Sequence, residues 1–277
     1  MISRVDFQSV NQPSCSMTST TTAALSQPPA LSIEGALATI TFRRPANHNR
    51  IEPDDVAILR GYLKELNANH DVRVIVFRGE GKTFSSGFDL TRLGKVAGQS
   101  TENSFEVLTD EVENARAITI ARLDGPVYGG STDLALACDF RIGAEGIRMF
   151  MPAARLGLHY YGHGLRRWVS RLGIGPAKKL FLTSRQIDAN EMRAIGYLDA
   201  VVPAALFEAE MQRWIDELLA MAPVPLVSIK TVLNDIARQQ YDEEAAKAAY
   251  HASLKTEDIG EALAAFAEKR KPVFKGR

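Results

Sequence analysis

Apolar and polar positions change period several times along the chain, and each change marks an element. Residues 31–42 alternate apolar and polar on either side of Glu34 and Gly35, the pattern of a β-hairpin. Residues 54–67 instead place Val56, Leu59, Leu63 and Leu66 at helical spacing, with Pro53 suited to the first turn. Residues 72–77 form a mostly apolar run that predicts a strand, and shorter runs at 119–123, 140–142 and 149–152 predict three more. A helix is expected over 104–118. The apolar segment 134–138 follows Gly129, Gly130 and the cap-type residues Ser131 and Thr132, which reads as strand end, tight turn and helix start. Beyond Gly175 helical faces dominate, and helices are expected over 176–182, 188–195 and 204–221, from Val224, and over 256–269. Asp188 and Glu191 are spaced as a capping box, with Gly196 as a stop. Strands alternating with helices imply an α/β core.

Residues 1–29 lack such periodicity. They are rich in Ser, Thr, Gln and Pro, and 18–22 are all hydroxyl-bearing, so a disordered extension is expected. No apolar stretch there marks a secretory signal, Arg4 as sole basic residue argues against a transit peptide, and Met17 is a candidate start. The expected division is an extension over 1–29, an α/β core over 30–200 and a helical region over 201–277. A hydrophobic content of 45% in 277 residues is ample for one sizeable core. The 33 basic and 33 acidic residues cancel, which argues against a nucleic-acid tract or an anionic membrane surface. No apolar run approaches the ~20 residues that span a bilayer. Two cysteines, Cys15 and Cys138, make no disulfide framework, so a reducing, cytoplasmic setting is expected. Cys138 reads as a small buried hydrophobe.

A helix start presents unpaired backbone N–H groups and a partial positive charge, and glycine lets a ligand come close. Asp133 falls in that first turn. One segment therefore supplies a candidate oxyanion donor and a candidate acid/base. Asp133 as a mere complement to the helix dipole is the equally weighted alternative.

Two motifs then carry a resemblance. Gly81, Phe84, Gly87, Asp89 and Leu90 fit the pattern Gly-x-x-Phe-x-x-Gly-x-Asp-Leu. Some forty residues on, Gly125, Gly129, Gly130, Leu134 and Asp139 fit a glycine-rich turn entering a helix. In this order and at this separation the pair resembles the crotonase (enoyl-CoA hydratase/isomerase) superfamily, over about residues 30–277. The resemblance implies an α/β fold: a crotonase-like spiral of ββα units with a helical C-terminal trimerisation region. It implies a homotrimer or dimer of trimers acting on an acyl-CoA in fatty acid metabolism. No cofactor is expected beyond the coenzyme A that the substrate carries, and no metal, nucleic-acid or membrane partner.

By motif position, the backbone N–H groups of Phe88 and Gly130 would hold the enolate oxygen of a thioester. Ala46 and His48, in the polar loop 43–49, are expected to contact the coenzyme together with Ser86, Gly87, Asp89 and Leu90. Arg43 or Arg44 either pairs with a phosphate there or is a solvated loop charge. Phe274 and Lys275 are expected to reach the adenine and phosphate end, often from a neighbouring subunit.

The chain departs from the family at the acid/base positions. Its hydratases use two Glu residues around one water. The first position is Asp133, shorter by one carbon–carbon bond, about 1.5 Å. The second is Ala153, which cannot exchange a proton. Nearby, His159, Tyr160, Tyr161 and His163 stand where many relatives have a bland Gly-Pro-Gly loop. A methylmalonyl-CoA decarboxylase of the superfamily has a Tyr at about the Tyr160 position. Any one of the four reads more readily as part of a structural aromatic cluster at a subunit contact, yet at least one is expected to reach the pocket. Histidine titrates near neutrality and suits proton exchange. The expectation is an enoyl-CoA hydratase-like lyase with Asp133 as acid/base and poor hydration of simple 2-enoyl thioesters. An isomerase or decarboxylase using a Tyr or His among His159, Tyr160, Tyr161 and His163 is the second reading, and a non-catalytic CoA-ester-binding relative the third.

Overall fold

The computed structural model describes residues 26–89 and 104–277. Strands β1 (Gln27–Glu34) and β2 (Leu37–Arg43) form the expected hairpin, turning at Gly35 with φ +59°. β1 starts at Gln27, within the segment 1–29 expected as the extension. Helix α1 (Pro53–Ala68) follows, its start closed by a reciprocal capping box between Glu52 and Asp55. It buries Val56, Leu59, Leu63 and Leu66, the stripe its spacing predicts. Then come β3 (Val74–Gly79), α2 (Ser104–Glu113), β4 (Ile118–Leu123), β5 (Val127–Tyr128), α3 (Gly130–Ala137), β6 (Phe140–Ala144), β7 (Arg148–Phe150) and α4 (Gly162–Leu172). The chain continues through α5 (Ile174–Thr183), β8 (Ile187–Asp188), α6 (Ala189–Ala194) and β9 (Ala200–Val202). It closes with α7 (Phe207–Leu219), α8 (Pro223–Ala237), α9 (Glu243–Ser253) and α10 (Glu257–Glu268).

The strands divide between two sheets. One has the order β1-β2-β3-β4-β6-β9, antiparallel only at the hairpin; the other has the order β5-β7-β8. β4 joins the large sheet, β5 the small one, and α3 follows; β6, β7 and α4 repeat the move. An isolated parallel bridge from Ser85 to Val127 puts residue 85 where a small-sheet strand would lie, so β3, residue 85 and α2 form an earlier turn of the same spiral. β3 and β4 are buried almost throughout, as parallel strands covered on both faces must be.

Several expectations change. α2 stops at Glu113, because Ile118 is already paired with Val74 in the large sheet. α4 and α9 were not legible as helices. α4 opens on Gly162-His163-Gly164, poor helix formers, and its buried face mixes Gly164 and Arg167 with Trp168 and Leu172. α9 buries no residue, so it carries no core-facing stripe. α3 starts at Gly130 with Gly129 as N-cap, and Ser131 and Thr132 lie inside it. Asp188 does cap α6, accepting from Glu191 N at 2.9 Å, but the Glu191 carboxylate pairs with Lys179 instead of closing the box. The expected irregular segment 91–103 lies outside the described residues. Among the described residues no helix is long and apolar enough to cross a membrane.

Candidate active site

Residues 85–89 and the start of α3 meet edge to edge. Phe88 is in a parallel bridge with Ile51: Ile51 N donates to Gly87 O and Asp89 N donates to Ile51 O, both at 2.9 Å. In that pattern the flanking residues make the bonds, and the N–H of Phe88 itself faces the opposite edge. Gly130 is the first residue of α3, where an N–H has no intrahelical partner. Among the described residues neither the Phe88 nor the Gly130 N–H donates to a protein acceptor. Gly87 has φ +92°, and a Cβ there would lie 2.7 Å from Gly130 N and 3.0 Å from Tyr128 O. Only glycine permits both that conformation and that approach.

Buried hydroxyls fasten the two stretches. Ser131 Oγ donates to Ser85 Oγ at 2.6 Å, and Ser85 Oγ donates to Asn49 O at 2.7 Å while accepting from Gly87 N at 3.1 Å. Tyr128 N donates to Ser85 O at 3.0 Å. One serine thus ties the loop before α1, the first glycine loop and α3 into a unit.

Phe88 and Gly130 sit in the wall of a cavity of about 360 Å³. Ser86, Phe105, Tyr128, Phe150, Met151, Ala153, Leu156, Leu158, His159, Tyr160 and Tyr161 line the rest. The wall is largely apolar, and Ala153 contributes a methyl where a second carboxylate is expected in a hydratase. Rings pack in sequence around it: Phe88 on Phe105 at 5.5 Å, Phe105 on Tyr161 at 6.5 Å, and Tyr160 stacked on Tyr161 at 4.2 Å.

Asp133 is fully buried and is not part of that lining. Its Oδ2 accepts from Tyr161 OH at 2.7 Å and from Arg167 Nη1 at 2.6 Å, and Tyr161 OH accepts from Tyr160 OH at 2.9 Å. Asp133 Oδ1 is buried with no hydrogen-bond partner among the described residues. Burial, then the charge of Asp133, raises both phenols well above the usual tyrosine range. Arg167, itself fully buried, also reaches Glu113 at 3.1 Å and Asp110 at 2.8 Å. Burial opposes its charge, but Asp133 and Glu113 outweigh that and push its pKa up. Burial also opposes the Glu113 charge, yet Arg167, Arg171 and Arg238 hold it down at about 2. Burial drives the Cys138 thiol up to about 12, which fits a structural cysteine.

The remaining expected residues fall in three places. Ala46 lies in a short 3-10 turn, and His48 follows it with φ 52°. Both are exposed beside the first glycine loop: His48 Nδ1 lies 3.1 Å from Thr83 Oγ1, and Ser86 N donates to His48 O at 2.8 Å. Asp89 is buried, 3.7 Å from Arg50 Nε, and Leu90 lies outside the described residues. Arg44 is committed to Asp55 of α1 through two bonds, at 3.0 and 2.9 Å. His159 is exposed at the cavity, while His163 turns away to Asp110 at 2.5 Å. Phe274 and Lys275 do not line the cavity of their own chain; Lys275 N and Gly276 N donate to Asp258, near the start of α10. Sequence reasoning missed Ser85, Ser131, Glu113 and Arg167. For Arg167 a signal existed: a charge set among Gly164, Trp168 and Leu172 on one helical face.

Comparison with known proteins gives the same architecture. The family model described as enoyl-CoA hydratase/isomerase matches residues 32–277. An enoyl-CoA isomerase/hydratase of Mycosarcoma maydis is 31% identical over 211 residues, which is 74% of this chain and 77% of that protein. The human mitochondrial methylglutaconyl-CoA hydratase is 28% identical over 253 residues, 87% of this chain and 74% of its own. The crystal structure of an enoyl-CoA hydratase from Bacillus anthracis superposes with a TM-score of 0.81 at 28% identity, over 91% of this chain and 100% of that one. An enoyl-CoA hydratase/carnithine racemase from Magnetospirillum magneticum gives 0.83 at 27% identity, over 91% and 96%.

Proposed function

The chain belongs to the enoyl-CoA hydratase/isomerase family, and on that premise we propose that it acts on an acyl-CoA thioester through an enolate. The N–H groups of Phe88 and Gly130 hold the enolate oxygen. The observation that supports this reading is that both residues line one cavity, with the two backbones so close that a methyl on Gly87 would overlap the Gly130 nitrogen. Two fixed donors aimed at a developing oxyanion are each worth about 100- to 1000-fold in rate. The coenzyme runs past Ala46, His48, Ser86, Gly87 and Asp89, and needs no further cofactor. Phe274 and Lys275 belong to a neighbour's site in a trimer or dimer of trimers. Exposed Ile229, Leu233, Leu263 and Phe266 on α8 and α10 support that assembly.

Proton exchange falls to the Asp133 side, because Ala153 offers no second group. A single carboxylate suits moving one proton on and off carbon, as in double-bond isomerisation, better than the two-carboxylate addition of water. The test is α-deuterium incorporation into saturated acyl-CoAs from butanoyl to dodecanoyl in D2O, read by mass spectrometry. Incorporation above the enzyme-free rate is expected. Its absence across the panel overturns the enolate reading. Crotonyl-CoA hydration at roughly 10 to 1000 per second would overturn the choice of isomerisation over hydration.

A further inference from the structure

We propose that Tyr160 and Tyr161 form a proton relay between the substrate's α-carbon and the Asp133 carboxylate, and that Arg167 is the residue that positions that carboxylate. The proposal rests on the enolate reading above. Its starting point is a separation: Tyr160 and Tyr161 line the cavity, and Asp133 does not.

Hydrogen-bond accounting then fixes a direction. A carboxylate paired with a guanidinium has no proton to give, so Tyr161 donates across the 2.7 Å contact. A phenol has one proton, and that of Tyr161 is now engaged. At the 2.9 Å contact between the rings Tyr160 therefore donates, and its own proton is engaged too. Both protons are therefore directed along the chain toward Asp133. What Tyr160 has left for a ligand is acceptor capacity. The pair is set to take a proton from substrate.

The step balances within the site. The α-carbon C–H bond breaks, and its electron pair enters the thioester to give the enolate oxygen held by Phe88 and Gly130. The proton joins Tyr160 O as the Tyr160 proton passes to Tyr161 and the Tyr161 proton passes to Asp133 Oδ2. The products are an enolate, two neutral phenols and a carboxylic acid. Burial holds both phenols far above neutrality, which disfavours a tyrosinate and favours concerted transfer. The reverse transfer returns the proton. With a β,γ-unsaturated acyl group, return to the γ-carbon of the dienolate shifts the double bond to α,β. No outside reagent is needed.

Arg167 holds the far end. Its planar fork reaches Asp110 and Glu113 on α2 and Asp133 on α3, so two helices and α4 share one buried cation. It bonds the same Oδ2 that accepts from Tyr161, which fixes that oxygen at the end of the chain.

The experiment measures α-hydrogen exchange for wild type, Tyr160→Phe, Tyr161→Phe, Asp133→Asn, Arg167→Lys and Arg167→Met. The Phe variants each lose one oxygen and no packing, so they report even if an Arg167 variant fails to fold. Expected is a fall of about 100-fold or more in kcat for Tyr160→Phe, Tyr161→Phe and Asp133→Asn, with KM within about threefold. Arg167→Lys should recover part of the kcat lost in Arg167→Met. Rates in H2O/D2O mixtures should curve with deuterium fraction in wild type, as several protons move together, and lose that curvature in Tyr161→Phe. Loss in Asp133→Asn with full activity in Tyr161→Phe overturns the relay while leaving the enolate reading intact. So does a linear dependence in wild type. Absence of exchange in wild type across the acyl panel overturns the enolate reading itself.

Discussion

The two walls of the cavity are built by different means. On one, the proposed donors are main-chain amides, in backbone shaped by Gly87, Gly129 and Gly130 and fastened by Ser85 and Ser131. On the other, the proposed acid/base groups are side chains, with Tyr160 and Tyr161 at the cavity, Asp133 behind them and Ala153 in place of a second carboxylate. A backbone donor cannot be exchanged by point substitution without moving the loop. A side-chain acid can be shortened, deleted or replaced by a neighbour. On the proposed reading, the difference teaches that the glycine wall sets the class of intermediate, while the other wall selects what is done with it.

Each wall can be broken separately. The largest effect is expected for Gly87→Ala, whose methyl meets the Gly130 nitrogen at 2.7 Å and whose φ of +92° is strained for alanine. Turnover should fall about 100- to 1000-fold, with circular dichroism unchanged. Activity within about tenfold of wild type would show that the donor pair is not the main source of rate.

Next comes the ion cluster behind the acid/base wall. Glu113 lies at about 2 against an ordinary 4.5, so the folded state favours its charged form. Its stabilisation, roughly 3 kcal/mol, is present above pH 4.5 and lost as pH falls toward 2. Glu113→Gln should lower the urea midpoint at pH 7 and flatten its acid dependence. An unchanged midpoint would mean that Arg167, Arg171 and Arg238 find other partners.

A smaller effect is expected where the walls' supports join. Ser131→Ala removes one buried hydroxyl bond, worth about 1 kcal/mol or roughly fivefold, and should lower kcat more than it raises KM. An equal effect on both would place the serine in binding instead of donor alignment.

The mildest expectation concerns alkali. The unfolded chain releases phenol protons near pH 10, and the native state holds those of Tyr160 and Tyr161 longer. Above pH 10 the unfolded state binds fewer protons, so stability should fall. The fall should lessen in Tyr160→Phe, as seen by thermal melting at pH 9 to 11.

The meeting of the two glycine stretches was legible in the sequence because its signal is local. Gly87, Gly129 and Gly130 stand at fixed offsets from short apolar strands, and the spacing survives without any knowledge of packing. The α/β core and the α1 stripe of Val56, Leu59, Leu63 and Leu66 were legible for the same reason. The other wall was only half legible. Asp133 and Tyr160 stood out as chemistry-bearing residues, but nothing local says that Tyr161 comes between Asp133 and the cavity. Arg167 is 34 residues from Asp133 and 54 from Glu113, so their meeting depends on how α2, α3 and α4 pack. Helix α4 itself went unread because Gly162, Gly164 and Arg167 dilute its apolar stripe.

The central claim is that two amides from separate loops grip one carbonyl oxygen. The direct measurement is a crystal structure of the protein with an unreactive acyl-CoA analogue bound. The thioester oxygen should lie about 3 Å from both Phe88 N and Gly130 N. A carbonyl turned away from one of them, or amides aimed in different directions in that complex, would contradict it.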